Sequence, residues 1–186
     1  AGIAIGAKGG IAVNSFNQSS NPDIYAIGDA AEKSDELTGE STLIPLANIA
    51  NRHGRITADH IAGKAVREVA SIGTAIVKVF DLAVATTGWN AKRLAAAGRA
   101  FTEVHTHPNS HATYYPGATQ FSLKLIFDPK SGEILGAQGV GRDGVDKRID
   151  VIATALRAGV TAPALADLEL AYAPPFSSAK DPVNML

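Results

Sequence analysis

The sequence predicts an α+β fold: an antiparallel sheet flanked by helices over residues 71–186, preceded at 1–70 by an incomplete α/β piece. Three observations carry this. Two β-type runs, Phe121–Phe127 and Glu133–Gln138, are separated by Asp128-Pro129-Lys130-Ser131-Gly132, whose turn chemistry makes them a hairpin and so an antiparallel pair. From about Val145, the residues Ile149, Ile152, Ala153 and Leu156 recur at helical spacing. Residues 1–70 hold a few short strands and one helix, too little to close a core.

In chain order, residues 1–30 are Gly-rich with two short β-type runs, Ile11–Val13 and Asp23–Ile27, the second stopped by Gly28-Asp29. Asn17–Pro22 is turn-like, and the polar stretch Glu32–Thr42 reads as an exposed loop. A helix follows with Pro45 in its first turn, where a missing N–H leaves nothing unpaired. Leu46, Ile49, Ala50, His53, Ile56, His60 and Ile61 form its stripe, and Gly63 is its stop. Ala75–Phe80, Leu82–Thr87 and Phe101–His105 read as strands, with Asn90 capping a short helix, Ala91–Ala97, closed by Gly98. Gly159 ends the last helix, and Tyr172-Ala173-Pro174-Pro175-Phe176 reads as extended, because residues before Pro avoid the α region.

Composition excludes several function classes. The chain has 186 residues, 46% hydrophobic and 19% charged, which is globular rather than disordered usage. The absence of Cys removes a disulfide scaffold, a thiolate metal site and a thiol nucleophile from this chain. A net charge of −1, from 17 Lys+Arg against 18 Asp+Glu, argues against a nucleic-acid surface. No apolar run approaches the roughly 20 residues of a membrane span. The stretch Ala1–Lys8 has no charged segment before an apolar one, so it is not read as a signal peptide but as the interior of a longer chain.

Four motifs weigh differently. Gly139-Val140-Gly141-Arg142-Asp143-Gly144 fits G-x-G-x-x-G, but the strand before it is a hairpin arm, whereas a dinucleotide site needs a parallel βαβ unit. A Gly-rich strand-to-helix turn is the better reading. His105, His107 and His111 lack a nearby carboxylate or Cys, so polar loop histidines are favoured over metal ligands and no metal site is expected. His53 and His60 read as packed, hydrogen-bonded helix residues. Gly28-Asp29 ends an apolar run and could present a carboxylate to hydroxyls, though a self-capping turn Asp is the local default. Tyr114-Tyr115-Pro116-Gly117 and Tyr172 before Pro174-Pro175 put three of the four tyrosines in Pro-stiffened loops. A phenol can donate a hydrogen bond to a sulfur or oxygen anion without carrying charge, against the alternative of packed loop tyrosines.

Taken together, these segments resemble the pyridine nucleotide–disulfide oxidoreductases. Asn21–Ala31 is similar to that family's last FAD-contacting strand, Ile44–Gly54 to the following helix, and residues from about 74 onward to its dimerisation domain. His111–Ala118 and Tyr172–Asn184 are similar to the branch of coenzyme A-disulfide reductases, NADH oxidases and NADH peroxidases. They most resemble the coenzyme A-disulfide reductases, including forms with an appended rhodanese domain. The resemblance implies a C-terminal fragment: residues 1–70 ending a split FAD-binding domain, residues 71–186 the dimerisation domain of an FAD/NAD-linked reductase.

What the resemblance implies for individual residues follows position by position. Asp29, after the cofactor-binding Gly28, would bind the FAD ribityl chain. Pro45, Leu46 and Ala47 would start the helix beneath the flavin pyrimidine ring, where a helix N-terminus favours negative charge. Tyr114 and Tyr172 would reach across a homodimer to the partner's redox thiol, and Phe176 would wall the partner's flavin. The parent would be a cytoplasmic enzyme using NAD(P)H as co-substrate to reduce coenzyme A disulfide or a similar small disulfide. The alternatives are an oxidase or peroxidase acting on O₂ or peroxide, or an inert dimerisation module that retains no FAD in isolation.

Overall fold

The computed structural model describes residues 2–186, Ala1 lying outside them. Its contacts divide it into two units, Ala1–Gly73 and Thr74–Leu186.

The first unit has little regular structure. A 3-10 turn spans Gly28–Ala30, a two-rung antiparallel ladder joins β1 (Lys33–Ser34) to β2 (Ser41–Thr42), and α1 runs over Ala47–Ile61. The β-type runs Ile11–Val13 and Asp23–Ile27 appear as isolated bridges, Ile5 with Ile11, Ile11 with Ala31 and Gln18 with Tyr25, not as strands. The reason is local hydrogen bonding: Ser19 N–H donates to Ile24 O and Ala26 N–H to Asn17 O, so this backbone is satisfied by its own turns. Ile24 and Ile27 stay 36% and 45% exposed.

Residues 32–42 are not the exposed loop that their polarity suggests. Glu32, Lys33 and Asp35 are buried because each satisfies backbone groups. The Glu32 carboxylate accepts from Lys8 and Gly10 N–H at 2.6 and 3.3 Å, and Asp35 Oδ1 accepts from Leu37 N–H. The Lys33 ammonium donates to Gly28 O and Ala31 O at 2.5 and 2.8 Å.

Helix α1 also starts later than expected. Leu46 is its extended N-cap (φ −131°, ψ 131°), and Leu46 N–H donates to Ile44 O across Pro45. That three-residue γ-type turn suits the fixed φ of proline and leaves Pro45 outside the helix. The buried stripe is Ile49, His53 and Thr57, while Ile61 is 66% exposed.

The second unit holds one five-stranded antiparallel sheet. β3 (Ala75–Val79) and β4 (Leu82–Gly88) form a hairpin, and α2 (Ala91–Ala96) leads to β5 (Thr102–Thr106). β6 (Phe121–Phe127) and β7 (Ile134–Gly141) form a second hairpin before α3 (Val145–Ala158), and the strand order is β3-β4-β7-β6-β5. This is the α+β fold read from the sequence. The Asp128 carboxylate accepts from Lys130 and Ser131 N–H at the hairpin turn, and Asn90 accepts from Arg93 N–H as the cap of α2.

Helix α3 covers one sheet face. Val145, Ile149 and Ile152 pack with Leu123, Leu125 and Ala137, all within 1% of full burial. Each large side chain of this kind contributes roughly 1.5–3 kcal/mol when removed from water. The G-x-G-x-x-G glycines make this approach possible: a Cβ on Gly141 would collide with Phe121, and one on Gly139 would lie 2.9 Å from Val145. β7 is antiparallel to both neighbours, so the motif is a strand-to-helix packing turn. The other face carries a row of Val77, Val84, Val140 and Ser122, and its three valines are 55%, 40% and 38% exposed.

Beyond α3, 3-10 turns span Pro163–Asp167 and Pro182–Met185. The stretch between them does not stay extended through its prolines. Phe176 and Ser177 N–H both donate to Ala173 O, at 2.9 and 3.2 Å, and turn the chain back. The extended bias before proline is local, and these hydrogen bonds override it.

Candidate functional site

The tyrosine site is built at the ends of two loops in the second unit. The first leaves β5 and returns to β6. It is pinched where Ser110 N–H donates to Thr119 O (2.8 Å) and Thr119 N–H to Ser110 Oγ (3.2 Å), leaving Tyr114 at the tip, 74% exposed. Tyr115 N–H donates to Ala112 O, and buried His111 meets the Tyr115 ring edge-on with centroids 5.8 Å apart. The second loop is the tail, which carries Tyr172, 46% exposed, and Phe176, 71% exposed.

The two loops meet. Ala112 N–H donates to Ser177 O at 3.0 Å, and above that bond the Tyr114 and Tyr172 hydroxyls lie 2.9 Å apart. The Tyr172 phenol is raised above the usual tyrosine range, first because it is hydrogen-bonded to Tyr114. Two phenols sharing one hydrogen bond leave one O–H free to donate outward. Such a pair can stabilise an approaching anion or hand it a proton.

Under these loops lies a buried ion pair that the sequence pattern did not single out. Arg148 (1% exposed) donates from Nε to Asp181 Oδ1 at 3.3 Å and from Nη2 to Asp181 Oδ2 at 3.1 Å. Burial pushes the Asp181 carboxyl up. Hydrogen bonds from Ser177 and Val183 N–H and the Arg148 charge outweigh this and hold it below the usual carboxylate range. One signal was available: Arg148 lies three residues after Val145 and four before Ile152, inside the apolar stripe.

The first unit places its predicted residues around the start of α1. Gly28 has φ +65° and is buried, and a Cβ there would sit 3.2 Å from that of Ala50, so the 3-10 turn packs on the first turns of the helix. Asp29 is exposed on that turn, and Lys33 bonds the carbonyls of Gly28 and Ala31 from beneath. Burial lowers the Lys33 pKa, and the Asp29 charge opposes this. Leu46 gives α1 no side-chain cap, though Asn48 Oδ1 in the first turn accepts from Ile49 N–H at 2.8 Å. The exposed Asp29 carboxylate can accept hydrogen bonds from a hydroxylated chain, and the positive end of α1 beside it favours negative charge on a ring.

The histidines separate. His107 Nδ1 bonds Ser122 Oγ at 2.9 Å, His105 is exposed on β5, and no group of three metal-ligating side chains occurs among the described residues. His60 stacks on Phe16 at 4.3 Å. His53 is buried, and its Nδ1 has no hydrogen-bond partner among the described residues. Its pKa falls to about 4, first through burial and then through the Lys33 and Arg52 charges.

Residues 74–182 match the family described as pyridine nucleotide-disulphide oxidoreductase, dimerisation domain. The chain belongs to that family. Among curated proteins it is 37% identical, over 185 residues, to the coenzyme A disulfide reductase of Staphylococcus haemolyticus, covering 99% of this chain and 42% of that protein. It is 38% identical to the Staphylococcus aureus enzyme, with the same coverage. The chain therefore spans about two fifths of the curated relatives it matches. Two solved family structures superpose with a TM-score of 0.95 over 99% of the chain. They are the reduced CoADR-RHD of Bacillus anthracis, 56% identical with 33% of that protein covered, and the NAD-dependent persulfide reductase of A. fulgidus, 42% identical with 34% covered. No helix among the described residues is long and apolar enough to cross a membrane.

Proposed function

We propose that this chain is the C-terminal part of a homodimeric, FAD-dependent reductase that uses NAD(P)H to reduce coenzyme A disulfide or a related disulfide or persulfide. In that reading Tyr114 and Tyr172 serve the redox thiol of the partner subunit. The observation that carries it is the 2.9 Å contact of two exposed tyrosine hydroxyls 58 residues apart in sequence. Similarity to coenzyme A disulfide reductases supports the substrate class, and similarity to a persulfide reductase keeps it within sulfur–sulfur bonds.

The overall reaction takes two electrons as hydride from NAD(P)H plus one proton, breaks the S–S bond and releases two coenzyme A thiols and NAD(P)⁺. This chain's part is proton and charge handling at sulfur. The partner's thiolate, steadied by the hydroxyls, would attack the disulfide and form a mixed disulfide with coenzyme A, and the released coenzyme A thiolate would take a proton from a phenol of the pair, which regains it from water. Gly28, Asp29, Pro45, Leu46 and Ala47 would hold FAD, with Phe176 against the partner's flavin. When bound, that group relays electrons between nicotinamide and disulfide. We place the parent in the cytoplasm, where NAD(P)H is supplied.

Turnover of coenzyme A disulfide by the full-length parent tests the reading. Tyr114→Phe and Tyr172→Phe are expected to slow it about 10²- to 10⁴-fold, the usual range for a lost general acid, with flavin reduction by NAD(P)H unchanged. Activity confined to O₂ or peroxide would contradict it.

A further inference from the structure

We infer that Arg148 is a positioning residue for the tyrosine pair: it ties the base of the Tyr114 loop to the tail that carries Tyr172 and so sets the spacing of the two hydroxyls. The kinetic part of this inference rests on the function proposed above.

All three guanidinium nitrogens are engaged, and they reach three segments. Nη1 donates to Gly144 O (3.2 Å) on its own helix. Nη2 donates to Ser110 O (3.1 Å), at the pinch of the Tyr114 loop. Nη2 also donates to Ser177 Oγ (3.1 Å), and Nε and Nη2 grip Asp181, both on the tail beyond Tyr172. The tail side is itself braced. Ser177 Oγ–H donates to Asp181 Oδ2 at 2.5 Å, and Asp181 Oδ1 caps the final 3-10 turn by accepting from Val183 N–H. Lys147, half-exposed, adds a longer ion pair to Asp181 at 3.6 Å.

Among the described residues, apart from the tyrosine hydroxyls, the hydrogen bonds between the two loops are the Ala112–Ser177 backbone bond and those that run through Arg148. A planar fork can serve Ser110, Ser177 and Asp181 at once. A lysine in its place keeps the charge opposite Asp181 but brings all its donors from one atom, so it cannot bridge both loops with this geometry.

The test is a mutant cycle in the full-length parent with coenzyme A disulfide as substrate. Arg148→Lys is expected to lower kcat about tenfold to a hundredfold, the scale of a misplacement of about 1 Å, with flavin reduction by NAD(P)H unchanged. In the Tyr114→Phe/Tyr172→Phe background the same change should add nothing. Ser177→Ala, which loosens the tail side without removing the ion pair, should give a smaller loss with the same dependence on the tyrosines. Equal losses in both backgrounds, or no loss in either, would overturn the inference. Full turnover by the double Phe variant would instead refute the proposed function. The positioning claim would then be decided by ¹³C NMR titration of the tyrosine ring carbons. In Arg148→Lys the raised Tyr172 pKa should fall back toward the usual range, and an unchanged value would overturn the inference.

Discussion

In Thr74–Leu186 the fully buried large side chains are aliphatic, Leu123, Leu125, Ile134, Leu135, Ile149 and Ile152 among them, with Arg148 the exception. In Ala1–Gly73 the buried apolar residues among those described are Ala26, Ala31 and Ile49, while Asn17, Glu32, Lys33, Asp35, His53, Thr57 and Ser71 are buried beside them. One unit is held mainly by apolar burial on a sheet, the other mainly by polar side chains satisfying backbone groups. The difference assigns work. A sheet core can carry rigid loops such as those of Tyr114 and Tyr172. A unit made of turns, with an exposed carboxylate beside a helix start, suits the cofactor-holding part proposed for it.

The comparison breaks first in the sheet core. Leu125→Ala should destabilise the second unit by about 2–5 kcal/mol. Urea unfolding followed by amide exchange should show β6 and β7 losing protection. A loss below about 1 kcal/mol would mean that the core is not what holds the unit.

Acid should act on the first unit instead. The His53 pKa is about 4 in the folded chain, below its ordinary value near 6.5, so folding favours the neutral ring. Its contribution is complete above pH 6.5 and is lost as pH falls from 6.5 toward 4, by up to about 3 kcal/mol. Exchange protection in α1 should therefore fall across that window while β6 and β7 keep theirs. Protection of α1 that stays constant down to pH 4 would contradict this.

A smaller effect sits at Glu32. Glu32→Ala leaves the Lys8 and Gly10 N–H groups without their acceptor and should destabilise the first unit by about 1–3 kcal/mol. Exchange of those two amides reads it directly, and unchanged rates would show that the buried carboxylate is not the brace.

The same division explains what was legible in the sequence. The two hairpins, Asn90 as the cap of α2 and the stripe of α3 follow from local pattern, because the sheet unit obeys its periodicities. In the first unit the tight turn at Pro45 and the burial of Glu32, Lys33 and Asp35 depend on which backbone groups lie opposite, which no spacing encodes. The two tyrosine-bearing, Pro-stiffened loops were legible as such, and only the family resemblance linked them. The meeting of Tyr114 with Tyr172 needs the bent tail, and the bent tail is held by Arg148 and Asp181. A charged residue inside an apolar stripe was the one sign of that clamp.

The central claim is that the tyrosine pair of one subunit serves the thiol of the other, and complementation tests it most directly. One full-length variant would lack the redox cysteine but keep both tyrosines, and the other would keep the cysteine but carry Tyr114→Phe/Tyr172→Phe. Each homodimer should be inactive on coenzyme A disulfide. The mixed dimer contains one site with both partners intact, so it should recover about half the wild-type rate. A mixed dimer as inactive as its parents would contradict the account, because the tyrosines would then serve the thiol of their own chain or none.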